Sequence, residues 1–180
     1  MKLILIAAVS IDGVIGIDDK IPWKITEDFK HYRETTMGNK LIVGYPTFIT
    51  LPPKALEGRE FIILNNRQHE LYEDKFHQIS SIDGILNHLE NCDDLNNVFV
   101  IGGERIYNSF IDYCDEAVIT WVNKTYPDGN KKFPITKIIT NFTAINNPEW
   151  VLSKNGYEYK ITKYLNDRKK ETKIKTSNNY

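Results

Sequence analysis

Residues 3–9 read LILIAAV, seven apolar side chains in succession. An extended chain turns alternate side chains to opposite faces, so a strand of this composition has no face to offer water. It must be covered on both sides, as happens inside a parallel sheet with helices above and below. Ser10-Ile11-Asp12-Gly13 ends the run with turn-forming residues. The run is also far shorter than the ~20 residues that cross a bilayer. One Lys precedes it and no small-residue cleavage site follows, so it does not read as a secretion signal, and a cytoplasmic location is expected.

Further short runs rich in Ile, Val and Phe lie at 40–44, 60–65, 97–101 and 117–122. Helical patterns alternate with them. Thr26 is placed to cap a helix running to about Thr36, with Glu27 and Asp28 in a first turn whose dipole favours acids. Ile82, Ile85, Leu86 and Leu89 recur at helical spacing, as do Ile106, Tyr107, Phe110 and Ile111. This alternation predicts an α/β fold with a mainly parallel sheet. Beyond residue 122 the pattern changes to strands at 142–145, 149–154 and 157–165, with Asn155-Gly156 as a type I′ hairpin signal. The expected domain is residues 1–165. Residues 166–180 form a basic tail, expected to be disordered: from Asp167 onward it holds five basic and two acidic residues and almost nothing apolar.

Composition excludes several functions. The 180 residues carry 23 basic and 24 acidic side chains, so no strong field selects nucleic acid or an anionic membrane. Two cysteines, Cys92 and Cys114, make no disulfide framework and read as free thiols. His31, His69, His77 and His88 are scattered without metal-ligand spacing, so no metal is expected. Of the basic residues only five are Arg: Arg33, Arg59, Arg67, Arg105 and Arg168.

Ligands of open α/β sheets bind beyond the carboxyl ends of the strands. The long loop from Ser10 to Lys24, with Gly13, Gly16 and Pro22-Trp23, exceeds an ordinary connection and reads as functional. Gly44-Tyr45-Pro46-Thr47 and Gly102-Gly103-Glu104-Arg105 each join a strand to a helix. The glycine pair either admits a phosphate to the backbone N–H groups or makes a plain tight turn. Arg59 and Arg67 flank one strand and are each either an anion fork or an ordinary surface cation. Asp28 is either a carboxylate that holds an amidine-like heterocycle edge at two points or a dipole-compatible first-turn acid.

These pieces occur together, in order, in one family. LILIAAVSIDGVIG, IPWKITEDF, KLIVGYPTF, LEGREFIILNNR, VFVIGGERIY, AVIT and YEYKITKYL resemble dihydrofolate reductases over residues 2–165. The resemblance implies a single domain built on a central, mostly parallel, twisted eight-stranded sheet. An antiparallel C-terminal strand closes it and about four helices flank it. It implies NADPH-dependent reduction of 7,8-dihydrofolate by a monomer, and binding of trimethoprim- or methotrexate-type antifolates. Asp28 would anchor the pterin, Thr120 would hydrogen-bond that carboxylate, and Trp23 would hold a water near the ring. Ile6 and Ile101 would offer carbonyls, with Ala7 beside them. Phe29, Tyr32, Leu51 and Leu56 would wall the benzoyl group, and Arg59 would meet the glutamate carboxylate. The loop from Ile15 to Trp23 would close over the nicotinamide. Cofactor contacts would come from Ala8, Ile15 and Gly16, and from Gly44, Tyr45, Pro46 and Thr47. Leu64, Asn65, Asn66 and Arg67 would add more. The remainder would come from Ile101, Gly102, Gly103, Glu104, Arg105, Ile106 and Tyr107, with the Gly102–Gly103 peptide cis.

The chain departs from the family at two places. Tyr45 and Pro46 stand where an Arg and often a second basic residue are usual, and Pro52-Pro53-Lys54 is one residue longer than common bacterial forms. The alternatives are a riboflavin-pathway pyrimidine reductase, which shares the fold, and a phage-encoded folate-binding structural protein. Pro22-Trp23 with Asp28 five residues on, and Arg59 in an L-E-G-R context, argue against the pyrimidine reductase.

Overall fold

A computed structural model describes residues 1–18, 20–67, 75–92 and 97–168. The first half runs β1 (Leu3–Ser10), β2 (Val14–Gly16), α1 (Thr26–Thr36), β3 (Lys40–Gly44), α2 (Tyr45–Phe48), α3 (Pro53–Leu56), β4 (Glu60–Leu64) and β5 (Phe76–Ile79). The second half runs α4 (Ile82–Glu90), β6 (Val98–Gly102), α5 (Glu104–Phe110), β7 (Glu116–Val122), β8 (Lys131–Lys132), α6 (Ile135–Asn141), β9 (Phe142–Ala144), β10 (Val151–Leu152) and β11 (Glu158–Asn166). Among the described residues four α-helices have seven or more residues; α2 and α3 are single turns. Residues 169–180, most of the expected tail, lie outside the described residues.

The strand buried on both faces takes the place its sequence demands. β1 lies inside the main sheet, parallel to β6 on one side and to β7 on the other. The full order is β10-β11-β7-β1-β6-β3-β4-β5, with β9 also pairing β11. β11 runs antiparallel to β7, so the sheet is parallel from β7 to β5 and closes on an antiparallel edge. Alternation along β1 feeds two cores. Leu3, Leu5, Ala7 and Val9 pack with Ile62, Ile85, Phe110 and Ile138, while Ile4 and Ile6 pack with Leu41, Phe61 and Phe99 on the opposite face. Burying one such side chain is worth roughly 1.5–3 kcal/mol, which fixes the register of the sheet.

Two local expectations need correction. Thr26 does not cap α1: it is the first helical residue, Ile25 occupies the N-cap, and the Thr26 hydroxyl donates instead to Asn155 Oδ1 at 2.9 Å. Asn155-Gly156 does not form a type I′ turn, which requires positive φ at both central residues. Gly156 alone is left-handed there (φ +82°), and its N–H closes the turn on the Ser153 carbonyl at 3.0 Å. Five residues separate β10 from β11, enough for a wider turn, and the Asn155 side chain is engaged with α1. The strand expected at 149–154 is accordingly only Val151–Leu152.

The segment after β1 is held by a second, two-stranded ribbon in which β2 pairs β8. A Cβ built on Gly129 would fall inside the buried Val14 side chain and 3.0 Å from the Tyr126 carbonyl. Gly129→Ala should therefore destabilise the protein by about 1–3 kcal/mol through overpacking. Urea unfolding should show a lower midpoint with an unchanged slope.

Candidate functional site

Because β1, β3, β4, β6 and β7 are parallel, their carboxyl ends lie along one side of the sheet. The loop from Ser10 to Lys24 starts there and is tied down along its length. Asp12 Oδ2 accepts the Tyr126 N–H at 2.9 Å. Asp18 (φ +52°) and Asn130 exchange two hydrogen bonds of 2.8 Å, backbone N–H to Asn130 Oδ1 and Asn130 Nδ2 to Asp18 Oδ1. Trp23 is buried, its ring centroid 5.3 Å from that of Tyr126, and Ala8 packs in the same apolar cluster. Ile15 packs on the main core, and Gly16 pairs with Lys131 across the ribbon. A surface depression of about 610 Å³ lies against this loop, lined by Ile17, Asp18, Lys20, Ile21, Pro22, Trp23, Lys24 and Tyr157; Asp28 does not line it.

Asp28 sits in the first turn of α1 and reaches Thr120 of β7. Burial raises its carboxyl above the ordinary carboxylate range, while a hydrogen bond with Thr120 of β7 and the nearby His31 pull the other way. Thr120 is itself buried. On the neighbouring strands, the Tyr107 hydroxyl lies 2.9 Å from both the Ile6 and the Ile101 carbonyl oxygens, so its single proton is shared between them. The two carbonyls named from the sequence therefore converge on one point, and burial pushes the Tyr107 phenol far up.

Tyr32, Leu51, Leu56 and Ile101 form a half-buried apolar wall on the core face that contains Ile6. Burial pushes the Tyr32 phenol up to about 12. Phe29, on the same helix, is exposed. Arg59 is 4% exposed, and its guanidinium is fixed from several sides. Nε donates to Thr36 Oγ1 (2.9 Å), Nη1 to the carbonyls of Ala55 (3.3 Å) and Glu57 (2.8 Å), and Nη2 to the Arg33 carbonyl (2.9 Å). Thr36 Oγ1 passes the chain on to the Tyr32 carbonyl at 2.7 Å. Four of the five guanidinium N–H groups thus point into the protein.

The two glycine turns come together because β3 and β6 are neighbours. A Cβ on Gly103 would lie 3.0 Å from Thr47 Oγ1, one on Gly44 3.1 Å from Ile106, and one on Gly102 2.8 Å from the Tyr107 ring. The Gly102–Gly103 peptide is cis and Gly102 has φ +106°. α5 has no side-chain N-cap, so no capping side chain competes for its first N–H groups. This cradle fits a dinucleotide phosphate. On β4, Leu64 is half-buried and followed by Asn65, whose Oδ1 accepts the Arg67 N–H at 3.2 Å. Asn66, Arg67, Pro46, Arg105 and Arg33 are exposed, and Glu104 is half-buried in the first turn of α5.

Two features escaped the sequence reading. His31, one turn beyond Asp28, is half-buried and feels its charge; helical i, i+3 spacing was the available signal. The role of Asn130 as the partner of Asp18 depends on a contact across 112 residues and left no local trace.

The buried carboxyl group has a thermodynamic signature. Unfolded, Asp28 titrates as an ordinary aspartate, near 3.8; folded, burial moves it higher. Its contribution to stability is complete below the unfolded pKa and is lost as pH rises through the folded one. Asp28→Asn should therefore unfold at a higher urea concentration than wild type at neutral pH. The difference should close as pH falls towards 3.8, and a gap that persists in acid would separate the effect from ionisation.

Comparison with known proteins agrees with this geometry. The family model described as dihydrofolate reductase matches residues 2–166. Dihydrofolate reductase type 15 of Escherichia coli is 33% identical over 161 residues, covering 89% of this chain and 98% of the relative. The dihydrofolate reductase of Mycobacterium tuberculosis H37Rv is 30% identical over 164 residues, covering 89% and 95%. A solved Enterococcus faecalis dihydrofolate reductase, complexed with NADP(H) and RAB-propyl, superposes with a TM-score of 0.79 at 24% identity, covering 92% of this chain and 96% of that one. Carboxylate, converging carbonyls and glycine cradle stand on a chain that belongs to the dihydrofolate reductase family.

Proposed function

We propose that this chain reduces 7,8-dihydrofolate to 5,6,7,8-tetrahydrofolate with NADPH, a hydride going to C6 and a proton to N5. The observation that carries the reading is the buried, Thr120-bonded carboxyl of Asp28 at the carboxyl end of the sheet, close to the convergence of the Ile6 and Ile101 carbonyls. An ionised carboxylate in apolar surroundings binds a two-point N–H donor strongly, because the pair replaces hydration that burial has removed. The 2-amino group and N3 of a pterin present such an edge.

Each residue then has a task. Asp28 fixes the ring and favours protonation at N5, which makes C6 the better hydride acceptor. Thr120 orients the carboxylate. Tyr32, Leu51, Leu56 and Phe29 take the benzoyl group and exclude water, and the remaining Arg59 N–H meets the glutamate carboxylate. Trp23 and the loop from Ile15 close the nicotinamide side, with Ala8 holding its amide. NADPH supplies the hydride when bound; the Enterococcus faecalis neighbour was solved with NADP(H). Gly44, Tyr45, Pro46, Thr47 and the Gly102–Tyr107 turn hold its phosphates, and Leu64–Arg67 its adenosine end. Tyr45, partly buried against the second core, takes the place of the usual Arg. Antifolates of the 2,4-diaminopyrimidine type compete for Asp28.

The test is NADPH oxidation in the presence of 7,8-dihydrofolate; folded protein that binds NADPH but gives no turnover would overturn the reading. Asp28→Asn should slow hydride transfer about a hundredfold or more, with cofactor affinity unchanged. Arg67→Ala should weaken NADPH about tenfold through loss of a charge-assisted contact, while NADH is unaffected. Equal losses for both cofactors would move recognition of the 2′-phosphate elsewhere.

A further inference from the structure

The first turn of α1 is held from outside the helix. Ile25 at the N-cap brings no side-chain hydrogen bond, and a helix frays first at an end whose N–H groups lack a cap. Thr26, Glu27 and Asp28 are its first three residues. Glu27 Oε1 accepts the Lys154 N–H at 3.1 Å, and the Thr26 hydroxyl donates to Asn155 Oδ1 at 2.9 Å. Both partners belong to the turn between β10 and β11, 127 and 129 residues away along the chain. Two successive residues of the helix thus meet two successive residues of the turn, and the next helical residue is Asp28.

The turn can serve as a fixed point because it is braced on a buried serine. Ser153 donates its N–H to the Tyr157 carbonyl at 2.8 Å, and its own carbonyl accepts the Gly156 N–H at 3.0 Å. Its hydroxyl accepts the Tyr157 N–H at 2.9 Å. Lys154 and Asn155, enclosed by these bonds, turn one backbone donor and one side-chain acceptor towards α1. Glu27 meets the donor with Oε1, while its Oε2 is shielded from solvent and has no hydrogen-bond partner in the protein. A carboxylate bonded through one oxygen and enclosed at the other is lodged against the turn, unlike an acid that rotates freely in water.

We propose that Glu27 is a positioning residue for Asp28: by accepting the Lys154 N–H, with the Thr26–Asn155 bond beside it, Glu27 clamps the first turn of α1 to the β10–β11 turn and so fixes the place of the Asp28 carboxyl. A group that grips a heterocycle at two points has to be held within about 0.5 Å of its productive place, and a displacement of about 1 Å can lower the rate a hundredfold. Thr120 restrains the carboxyl itself, from β7; the clamp restrains the backbone that carries it. The glycine turns and the residues after β4 take no part in the contact, so its loss falls on the dihydrofolate side of the site. The inference rests on the reading of Asp28 given above.

The experiment is steady-state kinetics on the full chain with Glu27→Ala and Glu27→Gln, alongside NMR hydrogen exchange of the Lys154 amide. Glu27→Ala should speed that exchange and raise KM for dihydrofolate about three- to tenfold, the range of one lost hydrogen bond, with kcat and KM for NADPH within about twofold of wild type. Glu27→Gln keeps a carbonyl oxygen that accepts the same N–H, so it should restore both the protection and the KM. Thr26→Val and Asn155→Ala, at exposed positions where folding is not at stake, should each raise KM for dihydrofolate. The double variant should raise it no further than either alone, since both remove one bond. Gln behaving like Ala overturns the proposal. So does a rise in both KM values together, or a lower urea midpoint with both KM values unchanged, because either makes the contact structural only. The two readings fail differently. Lost turnover in Asp28→Asn with wild-type kinetics in Glu27→Ala refutes the clamp alone, whereas wild-type turnover in Asp28→Asn refutes the role of Asp28.

Discussion

β1 has no wet face, and the rest of the molecule is arranged around covering it. Paired on both edges and packed on both sides, it is the reference from which β6, β7 and then β3 and β4 take their register. Parallel pairing forces each connection to cross over a face of the sheet, so α1 and α5 are laid down as cover before they serve any chemistry. The same pairing collects the strand ends on one side. Asp28, Thr120, the Ile6 and Ile101 carbonyls and both glycine turns are thus neighbours as a consequence of burying LILIAAV.

What gathers there carries electrostatic tension. Asp28 is less comfortable as a carboxylate than it would be in water, and the protein offsets this only partly, with the Thr120 hydroxyl and with His31. Under the function proposed above, a ligand presenting two N–H donors completes what folding leaves unfinished. Function and stability accordingly oppose one another at this side chain, as is common where a polar group is held ready for a partner.

Elements buried on both faces were legible in the sequence, because apolar content marks them directly. Lys40–Gly44 matches the sequence reading residue for residue, and the one-sided helical spacing of Ile82, Ile85, Leu86 and Leu89 falls within α4. Short elements whose pairing lies elsewhere in the chain were not. β5 reads FHQI, half-buried throughout, and its strand character comes from pairing with β4 rather than from composition. The ribbon of β2 and β8 unites segments more than a hundred residues apart. α6 contains two threonines and an asparagine and owes its helicity to packing Ile138 into the main core. In the site, Asp28 and the glycine pair could be picked out because residue type and spacing state their chemistry. Thr26 looked like a cap and is a tether, since its hydroxyl found a partner on the β10–β11 turn that no local pattern announces.

Under the function proposed above, the confinement of Arg59 has a consequence for recognition. A free arginine samples many rotamers and loses that freedom, about 2 kcal/mol, whenever an anion immobilises it. Here the ordering is complete before any ligand arrives, because three backbone carbonyls and one hydroxyl already define the plane of the guanidinium. The direction in which its last N–H points is set by the fold. Such a group discriminates by angle as well as by charge: an anion approaching along that line meets it at no entropic cost, and one of equal charge set off to the side finds nothing that will turn towards it.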